Sequence, residues 1–328
     1  MWVQQFGPVI YGRDRNYAYM GKLSWIAKQP GRLKREGVRD GLSASGQELI
    51  RYALSRIEPL DVRGEPVYER DWDVLILLDG CRLDLMESVS GEYGFVPESV
   101  PAFRSLASTS NTWMERNFTD EYSSEVRNTC YVTANPFSDG YVDEARFGDI
   151  DEVWQYAWDD DIGTVPARSV TDRTISMARS RDCGRLIAHY MQPHFPSVPE
   201  PVGSSMDLDS FESHWDSVWD RLRSGDIAED VVWESYRENL RYVLDDIELL
   251  LENLDAGTAV ISADHGNAMG QWGQYGHPAG VPIAPLRNVP WVETMATDTD
   301  SYDPEPEEDH KSTTTDEVHS RLKDLGYA

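Results

Sequence analysis

Val74-Leu75-Ile76-Leu77-Leu78 is an unbroken run of five apolar residues that ends in Asp79-Gly80. A strand with one wet face alternates polar and apolar residues, so an unbroken run needs cover on both faces. Four more segments share this character: TCYVTAN (129–135), RLIAHYMQPH (185–194), TAVISADHG (258–266) and VPWVET (289–294). Helical patterns lie between them. The clearest spans about residues 233–254, where Tyr236, Leu240, Val243, Ile247, Leu251 and Leu254 recur at three- and four-residue steps, with Gly257 expected as its C-cap. Strands alternating with helices predict an α/β fold, a single large domain whose mainly parallel central sheet carries helices on both faces. Ligands in such sheets gather beyond the carboxyl ends of the strands.

Two of the runs deliver chemistry at that edge. Asp79 follows Leu78 directly, and the strand ending at Ser262 runs into Asp264, His265 and Gly266. Neighbours on a strand point to opposite faces, so Asp264 and His265 converge only if the chain turns, which Gly266 permits. Asp-Gly is also a common turn, and Asp79 alone reads as a turn residue or helix cap. Two strands ending alike favour a shared site. About thirty residues after Asp79 comes RSLASTSNTWMERNF, with hydroxyls at Ser105, Ser108, Thr109, Ser110 and Thr112 ahead of a helical stretch. Such a cluster caps a helix, and it can also supply a nucleophile where helix amides favour anions.

VLILLDGCRLD, the Ser/Thr-rich segment, AHYMQPHFP and SADHGNAMGQWGQYGHP occur in the order found in the alkaline phosphatase superfamily. Over roughly residues 70–295 the chain resembles the branch that holds sulfatases, lipoteichoic acid synthases and phosphoethanolamine transferases. The resemblance implies an alkaline phosphatase-like fold and a divalent metal, zinc or manganese before magnesium or calcium, held by Asp79, Thr109, Asp264 and His265. It puts the nucleophile on Thr109, with Ser108 and Ser110 as alternatives, and makes His194 and His277 contacts to an anionic substrate group. Arg82 and Arg104 are further candidates for gripping non-reacting oxygens, since guanidinium groups match phosphate geometry. Two departures stand out. Val198 occupies the place of a second-metal histidine, and none of the three cysteines lies in the CxPSR-like motif of sulfatases. The implied reaction is hydrolysis or transfer of a phosphate ester through a phospho-threonine. A sulfatase, or a silent relative that binds an anionic glycan or lipid headgroup, is the alternative.

Charge bears on partners and surroundings. The net charge is −28, and 25 of the 30 basic residues are arginine. An acidic, lysine-poor surface fits a salt-rich cytoplasm, and folding is then expected to need molar potassium or sodium chloride. It excludes nucleic acid as the main partner. Small-molecule, glycan or lipid-headgroup esters remain as substrates. Residues 1–60 hold ten Arg or Lys against five Asp or Glu, so the remainder carries −33. They read as a basic N-terminal extension, able to dock on a membrane or protein partner or to fold back on the acidic body, residues 61–328. Residues 297–314 read as a flexible acidic loop before a short closing helix. Cys81, Cys130 and Cys183 show no paired spacing, so no disulfide is expected. With neither a signal-like start nor a membrane-length apolar run, the expected location is cytoplasmic.

Overall fold

The computed structural model describes residues 37–57, 64–202, 217–305 and 321. Residues 1–36 of the basic extension, residues 306–314 of the acidic loop and most of the expected closing helix lie outside these. The chain divides into two compact units, Met1–Tyr52 and Ala53–Ala328. The described part of the first belongs to helix α1, Gly37–Ile57, on which Leu49, Ile50 and Tyr52 are exposed. No helix among the described residues is long and apolar enough to cross a membrane.

The second unit is built on a seven-stranded sheet. Its strands are β1 (Val74–Leu78), β2 (Ala102–Arg104), β3 (Thr129–Thr133), β4 (Asp149–Glu152), β5 (Arg185–Tyr190), β6 (Ala256–Ser262) and β9 (Asn288–Ala296), in the order β2-β9-β6-β1-β5-β3-β4. The five from β6 to β4 are parallel; β9 runs antiparallel to β6, and β2 antiparallel to β9. Every residue of β1 and β3 is buried, as unbroken apolar runs require. A small hairpin, β7 (Ala268–Met269) with β8 (Tyr275–Gly276), stands apart. Helices around the sheet include α2 (Leu83–Glu87), α3 (Ser110–Asn117), α4 (Ala167–Ser180), α5 (Val218–Ser224) and α6 (Glu229–Leu251). The fold is mainly parallel α/β.

Several expectations change. Helix α6 ends with Glu252 as its C-cap, and Gly257 instead lies in β6, where the register with β9 shifts. Residues 297–305, expected to be flexible, are pinned: the Thr297 and Thr299 amides donate to Leu251 and Glu252 carbonyls, Arg179 pairs with Asp298 at 2.7 Å, and Tyr302 Oη donates to Asp172 at 2.9 Å. Cys130 and Cys183 form a disulfide, with Cα atoms 5.7 Å apart across 53 residues. Their spacing carries no signal, because only the pairing of β3 with β5 brings them together. Cys81 stays free and buried.

Candidate metal centre

The strand order β6-β1-β5-β3 sets the ends of four parallel strands side by side, and each contributes to one cluster. Asp79 leaves β1, its amide bonded to the Tyr190 carbonyl at 3.0 Å, and Gly80 makes the turn at φ +71°. A Cβ at Gly80 would also stand 2.7 Å from Asn267 Nδ2, so glycine is required twice over. Asp264 and His265 leave β6. One ligand atom from each of Asp79, Asp264 and His265 lies within 4.8 Å of the others, all fully buried. Gly266 serves by close approach rather than by an unusual φ: a Cβ there would overlap the Pro285 carbonyl oxygen.

The hydrogen bonds turn the ligand atoms toward one another. His265 Nδ1 meets the Gly266 carbonyl at 3.0 Å, so Nδ1 carries a proton and the ring turns Nε2 toward the two carboxylates. Nε2 stands 3.6 Å from Asp79 Oδ1 and 3.5 Å from Asp264 Oδ2. Asp264 Oδ2 is buried without a hydrogen-bond partner. Burial alone would raise the Asp264 carboxyl, but attraction to nearby His265 and His189, with the hydrogen bond from the Gly80 amide, holds it below the usual carboxylate range. Two carboxylate oxygens and an imidazole nitrogen converge on one point, where a divalent ion would take a ligand atom from each. The donor set fits a divalent ion of the zinc or manganese type.

A hydroxyl completes the cluster, and it belongs to Ser110. Ser110 Oγ lies 3.2 Å from Asp79 Oδ2 and 3.3 Å from His265 Nε2. Thr109, expected to supply it, is the N-cap of α3 with extended backbone (φ −151°, ψ 149°), and its hydroxyl bonds Thr112 Oγ1 at 3.0 Å. Ser108 donates to the Pro278 carbonyl at 2.9 Å, and Ser105 to the Asp264 carbonyl. The hydroxyl run thus mostly stitches loops together.

His194 and His277 stand beside the cluster, their Nε2 atoms 3.0 Å apart, with the His277 ring stacked on His265 at 4.6 Å. His194 Nδ1 faces the Phe195 carbonyl at 2.6 Å, so it holds the proton, and His194 Nε2 accepts from His277 Nε2–H. Burial pushes His194 down to about 4, and burial with His265 and His194 close by holds His277 well below the ordinary histidine value. Trp219 of α5 packs on Phe195, the neighbour of His194, at 5.3 Å.

The arginines go elsewhere. Arg82 grips Asp84 through Nε at 2.7 Å and Nη2 at 2.5 Å, and donates Nη1 to the Asn267 carbonyl at 2.8 Å. Arg104 donates to Asn288 Oδ1 and the Pro282 carbonyl. Both brace loops, so the anion-gripping role expected of them has no support in these contacts.

Four contributors escaped the sequence reading. Asn135 Nδ2, beyond β3, donates to Asp79 Oδ2 at 2.7 Å. Tyr236 of α6, placed by spacing in the apolar stripe, bonds the Gly80 carbonyl, and Asn267 Nδ2 donates to the Tyr236 hydroxyl at 3.0 Å. His189, inside β5, points Nε2 at Asp264 Oδ2 across 3.8 Å. The one available signal was a lone histidine inside an otherwise apolar run.

No family model matches the chain, and no curated protein sequence matches it. Solved structures do. The soluble domain of lipooligosaccharide phosphoethanolamine transferase A from Neisseria meningitidis is 14% identical, over 68% of this chain and 75% of that one, with TM-score 0.49. A putative sulfatase from Bacteroides thetaiotaomicron is 12% identical, over 78% and 70%, with TM-score 0.43. An alkaline phosphatase superfamily protein from Vibrio parahaemolyticus is 10% identical, over 76% and 69%, with TM-score 0.37. At these identities and scores the likenesses say nothing about activity.

Proposed function

We propose that this protein transfers a phosphoryl group from a phosphate ester, as a metal-dependent hydrolase or transferase, through a covalent intermediate on Ser110. The observation that carries this is the Ser110 hydroxyl, 3.2 Å from Asp79 and 3.3 Å from His265 within a buried cluster of converging ligand atoms. Asp79, Asp264 and His265 would hold the divalent ion. Bound there, such an ion lowers the pKa of a hydroxyl and neutralises charge on the transferring group.

The chain's own groups do the rest. Ser110 Oγ releases its proton toward Asp79 Oδ2 and attacks phosphorus; the Oγ–P bond forms as the ester P–O bond breaks, and the leaving oxygen takes a proton from solvent. The N-terminus of α3 favours the anionic phosphoserine. His277 Nε2–H, turned from His194, is a donor for a non-reacting oxygen. Water or an acceptor alcohol then attacks phosphorus, and Ser110 is regenerated. Esters of small molecules, glycans or lipid headgroups fit; polynucleotides do not, given the −33 carried by residues 61–328.

Phosphorus is favoured over sulfur. The sulfatases that these motifs resemble use an aldehyde hydrate whose second hydroxyl expels sulfate, and Ser110-Asn111-Thr112 is no such motif. A plain phosphoserine is open to in-line attack at phosphorus. The test is acid quenching of the zinc- or manganese-loaded protein during turnover of an aryl phosphate, with the modified residue mapped by mass spectrometry. Phosphate is expected on Ser110. Ser110→Ala should lose it, with kcat/KM down about 10³-fold or more, while Thr109→Ala keeps the label. Label on Thr109 would restore the threonine expectation, and faster turnover of the aryl sulfate would overturn the phosphorus reading.

A further inference from the structure

We infer that His189 is a positioning residue for the metal centre, its Nε2–H aimed at the outer lone pair of Asp264 Oδ2, the oxygen that faces the ion. This rests on the proposed reading of the cluster as a metal site.

The two oxygens of Asp264 are in different circumstances. Oδ1 accepts from the Gly80 amide at 3.1 Å and the His265 amide at 2.8 Å, so backbone donors occupy both its lone pairs. Oδ2 accepts from neither and has no hydrogen-bond partner. One of its sides looks toward His265 Nε2 at 3.5 Å, where a cation would sit; another looks toward His189 Nε2 at 3.8 Å. His189 Nε2 is likewise buried with no hydrogen-bond partner. An orphan donor and an orphan acceptor face each other, and a side-chain adjustment of under about 1 Å brings them to hydrogen-bond distance.

The surroundings hold His189 for this contact. It is fully buried in β5. Its Nδ1 lies 2.8 Å from the Tyr131 hydroxyl, and its ring is stacked on that of Tyr131 at 6.2 Å and tilted against Trp113 at 6.1 Å. When Tyr131 O–H donates to Nδ1, the ring proton resides on Nε2, the tautomer that serves Asp264. A buried polar residue in a central strand needs a partner, and among the described residues Asp264 Oδ2 faces Nε2 at 3.8 Å. A donor on a ligand carboxylate fixes its orientation, so His189 acts on the ion through Asp264.

The test titrates zinc into the metal-freed full chain in competition with a chromogenic chelator, and follows thermal unfolding of each metal-free form. His189→Leu removes the donor; His189→Gln returns an N–H near the place of Nε2; Tyr131→Phe frees the tautomer. His189→Leu is expected to weaken zinc binding about 10–100-fold, with Gln recovering most of the loss and Tyr131→Phe falling between. Equal zinc affinity in wild type and His189→Leu overturns the inference. So does a loss that Gln does not recover and that tracks a lower metal-free unfolding midpoint, which marks plain packing. If His189→Leu does not fold, Tyr131→Phe decides: affinity equal to wild type overturns the inference. Those results leave the metal reading standing, whereas wild-type protein that binds no zinc overturns that reading and this inference with it.

Discussion

At Gly266 a single methyl group probes how tightly the site's backbone is packed. Its amide donates to the Leu286 carbonyl at 3.0 Å, and a Cβ would run into the Pro285 carbonyl oxygen, which cannot swing aside as a side chain can. Gly266→Ala is therefore expected to destabilise by about 1–3 kcal/mol, the usual cost of overpacking, measured as a lower urea midpoint at unchanged slope. An unchanged midpoint would mean that the loop yields freely. The same scale shows what the sequence could and could not say about the site. Asp79, Asp264 and His265 were legible because each follows a buried run, and β1 and β6 prove to be neighbours. Which hydroxyl of Ser108, Thr109 and Ser110 lies against Asp79 was not, because each helical position turns the side chain by about 100° and the placement depends on which residue begins the helix. Thr109 is the cap with its hydroxyl on Thr112, and Ser110 opens the helix with its hydroxyl on Asp79. His189 and Asn135 were hidden for a related reason: their partners lie 75 and 56 residues away in the chain, and no local pattern records such pairs.

Among elements, the strands that the sequence announced are those buried on both faces. β4, Asp149–Glu152, escaped because an edge strand needs little apolar content, and only Asp151 in it is buried. β2 is three residues long, too short for any period to show. The direction of β9 is likewise absent from its composition, since an apolar run reads the same in either sense. The disulfide belongs to this scale too, because it joins β3 to the turn that enters β5. It predicts a thiol count. Protein isolated under alkylating conditions should show no reactive thiol while native, because burial pushes the Cys81 thiol far up. Unfolding should expose one thiol, and reduction three. Three thiols without reduction would mean an open disulfide and would agree with the cytoplasmic expectation. One thiol would point to an oxidising compartment, where such bonds persist.

For the whole molecule, the dominant quantity is its charge. With 58 acidic and 30 basic residues, at least 28 carboxylates have no cation to pair with. Added salt acts on two opposed terms. It weakens the ion pairs on the surface, such as Arg241 with Glu92 at 2.7 Å and Arg179 with Asp298 at 2.7 Å. Exposed pairs of this kind contribute roughly 0–1 kcal/mol each. Salt also weakens repulsion among the unpaired carboxylates. Two like charges about 10 Å apart in water repel by about 0.4 kcal/mol, and each carboxylate on so acidic a surface has several such neighbours. Repulsion is the larger sum, so screening should stabilise the fold. The expected outcome is a thermal midpoint that climbs with potassium chloride. The climb should be steepest below about 0.1 M, while the screening length falls from about 30 to about 10 Å, and should continue toward molar salt. Chloride is the right probe, because sulfate raises the midpoint of most proteins through exclusion from their surface, whatever their charge. A midpoint that stays level or falls between about 0.01 and 0.3 M would show the ion pairs to be the stronger term. The proposal that this surface is built for a salt-rich cytoplasm would then fail, whatever the chemistry at Ser110.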